Sequence, residues 1–143
     1  MKLSRIYWDS MLFAYVMEGN PAFGPQVDAM LTSLVARGDT LCTSIFGVGE
    51  VLTGPRKLKD TTTEARLKSF FLSGVVEILP FTIETAERFA GIRAETWVHP
   101  GDAIHLASAA LAKVDVFVTN DKQLQRLKVS GIQFIVGLDG KLF

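Results

Sequence analysis

The stretch Asp102-Ala103-Ile104-His105-Leu106-Ala107-Ser108-Ala109-Ala110-Leu111-Ala112-Lys113-Val114-Asp115-Val116-Phe117-Val118-Thr119-Asn120-Asp121 decides the fold. Its first half is rich in Ala and Leu, strong helix formers, and predicts a helix over 102–113. Its second half turns to Val and Phe and predicts a strand over 114–119. Two acids bracket the unit: Asp102 opens the helix and Asp121 follows the strand.

Working outward, the same alternation recurs. Before this unit, 75–81 reads as a strand and 82–98 as a long helix, broken at His99-Pro100-Gly101. After it, 122–128 reads as a short helix and 132–136 as a last strand. Toward the N-terminus, 3–8 is a first strand ending at Asp9, and 10–18 a helix closed by Gly19-Asn20-Pro21. A helix over 26–36 puts Val27, Met30, Leu31, Leu34 and Val35 on one face, with Gly38 as a C-cap glycine. A short strand at 40–43 follows. Ser44 then caps a helix that Gly54-Pro55 stops near Thr53, and Thr61-Thr62-Thr63 opens another. Five strands with intervening helices predict one domain over 1–143, a three-layer α/β/α sandwich on a mainly parallel five-stranded sheet. Ligands of such sheets sit beyond the carboxyl ends of the strands, where strand order reverses.

Composition narrows the function classes. The 143 residues suffice for one real core, and 48% apolar with 21% charged residues is ordinary for a globular chain. Lys+Arg and Asp+Glu both number 15, so binding nucleic acid by bulk positive charge is disfavoured. The single Cys42 excludes an internal disulfide and Cys-rich zinc sites. No targeting or membrane-length apolar run is visible, so a cytoplasmic protein is expected.

The acids carry the chemistry. Asp9 ends the first strand, Asp121 follows the fourth, Asp102 heads a very apolar helix, and Glu50 stands in Ile45-Phe46-Gly47-Val48-Gly49-Glu50-Val51-Leu52. Singly, each Asp is well explained as a helix cap, and Glu50 as a solvent-facing residue. Jointly, they fall at one edge of one sheet if the first and fourth strands are neighbours. Four clustered carboxylates repel one another unless a cation offsets the charge. Oxygen-only ligation selects hard cations, Mg²⁺ or Mn²⁺. Mg²⁺ held by a few carboxylates keeps several waters and takes phosphate oxygens, so a phosphodiester is the fitting substrate. The expectation is that Asp9, Glu50, Asp102 and Asp121 converge closely enough to cage such an ion.

Other residues have plainer readings. His105 shares a helical face with Asp102 and reads as a packed or hydrogen-bonded core histidine. His99 reads as a loop residue and Cys42 as a buried small hydrophobe. Phe70-Phe71-Leu72 spreads apolar surface around one helix and suggests a buried protein contact. Arg56 and Lys57, with Lys59, form one basic group, and Lys122, Arg126 and Lys128 another. Most are solvated surface, yet Arg56, Lys57, Lys122 and Arg126 flank the acidic positions in sequence and are candidates for holding an RNA backbone.

These motifs resemble the PIN-domain family, and within it the VapC-type toxins of toxin–antitoxin pairs. The resemblance rests on Asp9-Ser10, on Ser44 followed by Gly49-Glu50-Val51-Leu52-Thr53-Gly54, on Asp102-Ala103-Ile104-His105-Leu106-Ala107-Ser108-Ala109, and on Val118-Thr119-Asn120-Asp121. It covers nearly the whole chain. It implies a Mg²⁺- or Mn²⁺-dependent endoribonuclease whose acidic quartet is Asp9, Glu50, Asp102 and Asp121. It also implies that Ser10 and Thr119 orient carboxylates or waters, that the chain forms a homodimer, and that a small antitoxin silences it by reaching an Arg into the acids. Gln123, Leu124 and Gln125 stand where some members carry a further acid. The competing reading is a non-catalytic PIN-like module that binds RNA or protein and uses the acids as caps and ion-pair partners. A haloacid-dehalogenase-type phosphatase would need an Asp where Met11 stands.

Overall fold

The computed structural model describes residues 4–139. Leu3, expected to begin the first strand, lies outside them. The elements run β1 Arg5–Trp8, α1 Ser10–Met17, α2 Gly24–Arg37, β2 Thr40–Ser44, α3 Ile45–Lys57, α4 Thr61–Leu72, β3 Val76–Leu79, α5 Ile83–Glu95, α6 Pro100–Leu111, β4 Val116–Val118, a 3₁₀ turn Leu124–Arg126, and β5 Phe134–Val136.

The five strands form one sheet in the order β3-β2-β1-β4-β5, and every pairing is parallel. The first three strands build outward from β1 in one direction, and β4 and β5 build outward in the other. Strand order therefore reverses between β1 and β4. Tyr7 registers with Phe117 and Trp8 with Val118, so Asp9 and Thr119 leave the sheet side by side.

Alternation along the strands splits the core in two, as the period of a pleated strand requires. Ile6, Trp8, Leu41, Val116 and Val118 face α1 to α4 and pack with Phe13, Leu34, Val51, Leu67 and Phe71. Tyr7, Cys42 and Phe117 face α5 and α6 and pack with Ile92, Ala103, Leu106, Ala107 and Ala110. This is the expected three-layer sandwich. The alanine run of α6 lets that helix lie close on the sheet, and Tyr7 and Phe117 stack there at 5.0 Å.

Three boundaries differ from the sequence reading. Helix α3 runs through Gly54-Pro55 to Lys57, because Gly47, Val51 and Pro55 share its buried face and packing outweighs the lost N–H. Helix α5 stops at Glu95, so Trp97 and Val98 belong to the connection that leads to α6. The expected helix over 122–128 shrinks to a 3₁₀ turn. The contact expected of Phe70 and Phe71 is made inside the chain, against Phe13. Leu72 is left 85% exposed. Among the described residues no helix is long and apolar enough to cross a membrane.

Candidate active site

Asp9 stands at the N-cap position of α1 but makes no capping bond. Its carboxylate is held from the neighbouring strand: Thr119 Oγ1 donates to Asp9 Oδ2 at 2.8 Å. The same hydroxyl oxygen accepts the backbone N–H of Asp121 at 3.1 Å. Fully buried Thr119 thus ties the acid after β1 to the turn after β4. Ser10 adds a long contact, its Oγ 3.4 Å from Asp9 Oδ1.

Asp102 is not a cap. Helix α6 begins two residues earlier, at Pro100, whose fixed φ suits a first helical turn. Asp102 therefore sits inside that turn, where the helix dipole favours its negative charge. Asp121 is not the cap residue either, since Gln123 holds that position before the 3₁₀ turn; it closes the local turn, its Oδ1 accepting from the backbone N–H groups of Gln123 at 2.8 Å and Leu124 at 3.3 Å. Ser44 caps α3 as expected, accepting from Gly47 N–H at 2.9 Å. That cap sets the phase of the helix and presents Glu50 toward α6.

Asp9, Ser10, Glu50, Asp102 and Asp121 line one recess of about 330 Å³, with His105, Tyr15 and Asn120 also on its wall. Four acids from four separate segments thus meet at the carboxyl ends of β1 and β4. Among the described residues, however, no three His, Cys, Asp or Glu side chains stand close enough together to hold a metal ion. The acids share a hollow without forming a closed ligand shell.

Their electrostatics differ. The Asp102 carboxyl is pushed above its usual value, first by burial and then by the charges of Asp9, Asp121 and Glu50. Glu50 goes the other way. Burial pushes it up, but the hydrogen bond and charge of His105 and a bond from Ser10 bring it below the usual range. The oxygen-only donors and the uncompensated charge at Asp102 fit a hard divalent cation, although the side chains as they stand are spread wider than its shell.

His105 is the core histidine expected from sequence, 2% exposed, with both ring nitrogens bonded. Its Nε2 lies 2.5 Å from Glu50 Oε1 and 3.8 Å from Asp9 Oδ1. Its Nδ1 lies 2.6 Å from Tyr7 Oη, and Tyr7 Oη accepts the Ser44 N–H at 3.2 Å. An ionised carboxylate only accepts, so Nε2 carries a proton; in the neutral ring Nδ1 then accepts from the Tyr7 hydroxyl. Burial raises the Tyr7 phenol well above its ordinary value, which keeps that hydroxyl protonated. In sequence Tyr7-Trp8 is a bulky end to the first strand with no evident role, and the link from Tyr7 through His105 to Glu50 is not visible there. The available signal was a hydroxyl-bearing aromatic two residues before the first Asp, on the strand face that α6 covers.

The basic candidates divide. Arg56 is ion-paired with Glu64 of α4 and lines a separate hollow with Lys59 and Asp60. Lys57, at the end of α3, is exposed and does not line the recess. Lys122 and Arg126 line a cavity that shares Asn120 with the recess. His99 occupies the N-cap position of α6 without a side-chain cap bond. Cys42 is buried, and burial pushes its thiol up to about 12.

Comparison with known proteins places this arrangement. The family model described as PIN domain matches residues 6–129. No curated protein matches. Solved structures do match, including VapBC2 from Rickettsia felis bound to a promoter DNA fragment, with TM-score 0.74, 18% identity and coverage of 93% of this chain and 98% of that one. A toxin–antitoxin complex from Klebsiella pneumoniae matches with TM-score 0.68 and 23% identity, covering 89% of this chain and 94% of that one. The VapC20 toxin of Mycobacterium tuberculosis, described as cleaving the sarcin-ricin loop, matches with TM-score 0.67 and 16% identity, covering 78% and 86%. At these identities the likeness is one of fold.

Proposed function

From the premise that the chain belongs to the PIN-domain family, we propose that it is a metal-dependent endoribonuclease, the VapC-type toxin of a toxin–antitoxin pair. One observation carries the reading: Asp9, Glu50, Asp102 and Asp121, from four distant segments, line a single recess at the reversal point of the sheet. Structural neighbours that are themselves toxin–antitoxin complexes support the class.

In this reading Asp9, Asp102 and Asp121 hold Mg²⁺ or Mn²⁺. When bound, such an ion offsets the recess charge and polarises a phosphate oxygen. Glu50, kept ionised by His105, orients a water and takes its proton. Thr119 fixes one oxygen of Asp9, and the other, 3.4 Å from Ser10 Oγ, is the one offered for ligation. Lys122 and Arg126 supply the cationic side for the RNA backbone. A small antitoxin protein, placing an Arg among the acids, is the partner this charge suits. A homodimer and a cytoplasmic location complete the reading.

The non-catalytic alternative has one observation in its favour: the acids form no ready ion-binding set. The deciding experiment incubates the protein with total RNA in Mn²⁺ and in EDTA, and maps new ends. Cleavage in Mn²⁺ that EDTA abolishes is expected. Intact RNA in both, with no rise in melting temperature on adding Mn²⁺, assigns the chain to the binding module.

A further inference from the structure

Beside the acidic recess lies a second cavity, about 480 Å³, lined by Phe23, Gln26, Asn120, Lys122, Gln125 and Arg126, with Asp139 also on its wall. Asn120 belongs to both hollows, so whatever fills one lies next to the other. Its amides are anchored. Gln26 Nε2 donates to the Leu138 carbonyl at 2.6 Å, and Gln125 Nε2 donates to the Thr119 carbonyl at 3.1 Å. Carbonyl partners only accept, so the nitrogen ends of both amides must face them. That leaves the two amide oxygens unspent among the described residues, together with the Asp139 carboxylate, as acceptors. Half-buried Phe23 packs against Tyr15 at 5.0 Å and supplies an aromatic surface. Lys122 and Arg126 make no ion pair among the described residues. Gly137 lets two of these groups pack closely behind the cavity: a Cβ there would meet the Gln125 amide at 2.9 Å and Asp139 Oδ1 at 3.0 Å.

An aromatic face, anchored acceptors and two free cations match an unstacked nucleotide. We propose that this cavity is a base-reading subsite for single-stranded RNA, taking the nucleotide next to the one held over the acids, and that it favours guanine. Guanine presents several N–H donors on one edge, which the amide oxygens and Asp139 accept, and the phosphate of its nucleotide suits Arg126 and Lys122. The inference rests on the nuclease reading for its neighbour, and adds to it which base is read and by which side chains.

The test binds short fluorescent oligouridylates with one central guanosine, adenosine or cytidine, in EDTA so that nothing is cut, and reads anisotropy. The native chain prefers the guanosine oligonucleotide by about tenfold over plain oligouridylate. Gln26→Ala and Gln125→Ala each bring that preference close to unity, whereas Arg126→Ala weakens every oligonucleotide and lowers the salt slope by about one. Equal affinity for all bases in the native chain, or a preference that both glutamine variants keep, overturns the proposal. A native chain that discriminates bases yet never cuts RNA in Mn²⁺ overturns the nuclease reading and leaves the subsite standing. Cleavage whose base preference is unmoved in both variants does the reverse.

Discussion

Asp102 shows what the recess costs in stability. Its folded carboxyl is raised, by burial and then by Asp9, Asp121 and Glu50. The native state therefore holds that proton more tightly than the unfolded chain. Stability from this group is present at low pH and is lost as pH rises from the ordinary carboxylate value through the raised one. Asp102→Asn should accordingly melt a few degrees above the native chain at neutral pH without added metal, and the gain should vanish in acid; melting curves across pH check this. Asp9→Asn should cut RNA cleavage on the order of 100-fold or more and abolish any Mn²⁺-induced rise in melting temperature, while melting without metal stays near the native value. Tyr7→Phe should cost about 1–3 kcal/mol in denaturant unfolding, because the Ser44 N–H and His105 Nδ1 both lose a buried partner.

At the scale of elements, local signals were read well where the residue itself carries the effect. Ser44 caps α3 because its hydroxyl meets Gly47 N–H, and Gly38 ends α2 in the left-handed conformation its lack of a Cβ allows. The capping box of α5 is reciprocal, with Thr82 Oγ1 accepting from Thr85 N–H at 3.3 Å and Thr85 Oγ1 from Thr82 N–H at 3.1 Å. Thr82→Ala should lower stability by about 1 kcal/mol in denaturant titration, without moving the anisotropy or cleavage readouts. Boundaries set by packing were not legible. Pro55 reads as a stop in any sequence, and only its buried face against the core explains why α3 continues. Asp102 reads as a cap, but the helix starts at Pro100 and leaves Asp102 inside its first turn. Arg56 reads as a free cation, and only the approach of α4 supplies Glu64.

For the whole molecule, the alternation of strands and helices was enough to give the layers, and the acids at strand ends were enough to give one recess. What the sequence could not carry was pairing over distance. That His105 touches Glu50 and Tyr7, and that Thr119 holds Asp9, follows from β1 lying between β2 and β4. The same placement has a temporal consequence. Glu50 and Asp9 precede residue 100, whereas Asp102 on α6, the strand β4 and Asp121 beyond it come after. During synthesis an emerging chain can build β1, β2 and β3 while it still lacks half its acids and the Thr119 clasp. Ribosome-tethered chains of increasing length should gain Mn²⁺-dependent protection from proteolysis only after β4 has cleared the exit tunnel. In the proposed reading, a polypeptide of this topology leaves the ribosome with its acidic recess unfinished and completes it late, when its fourth strand docks.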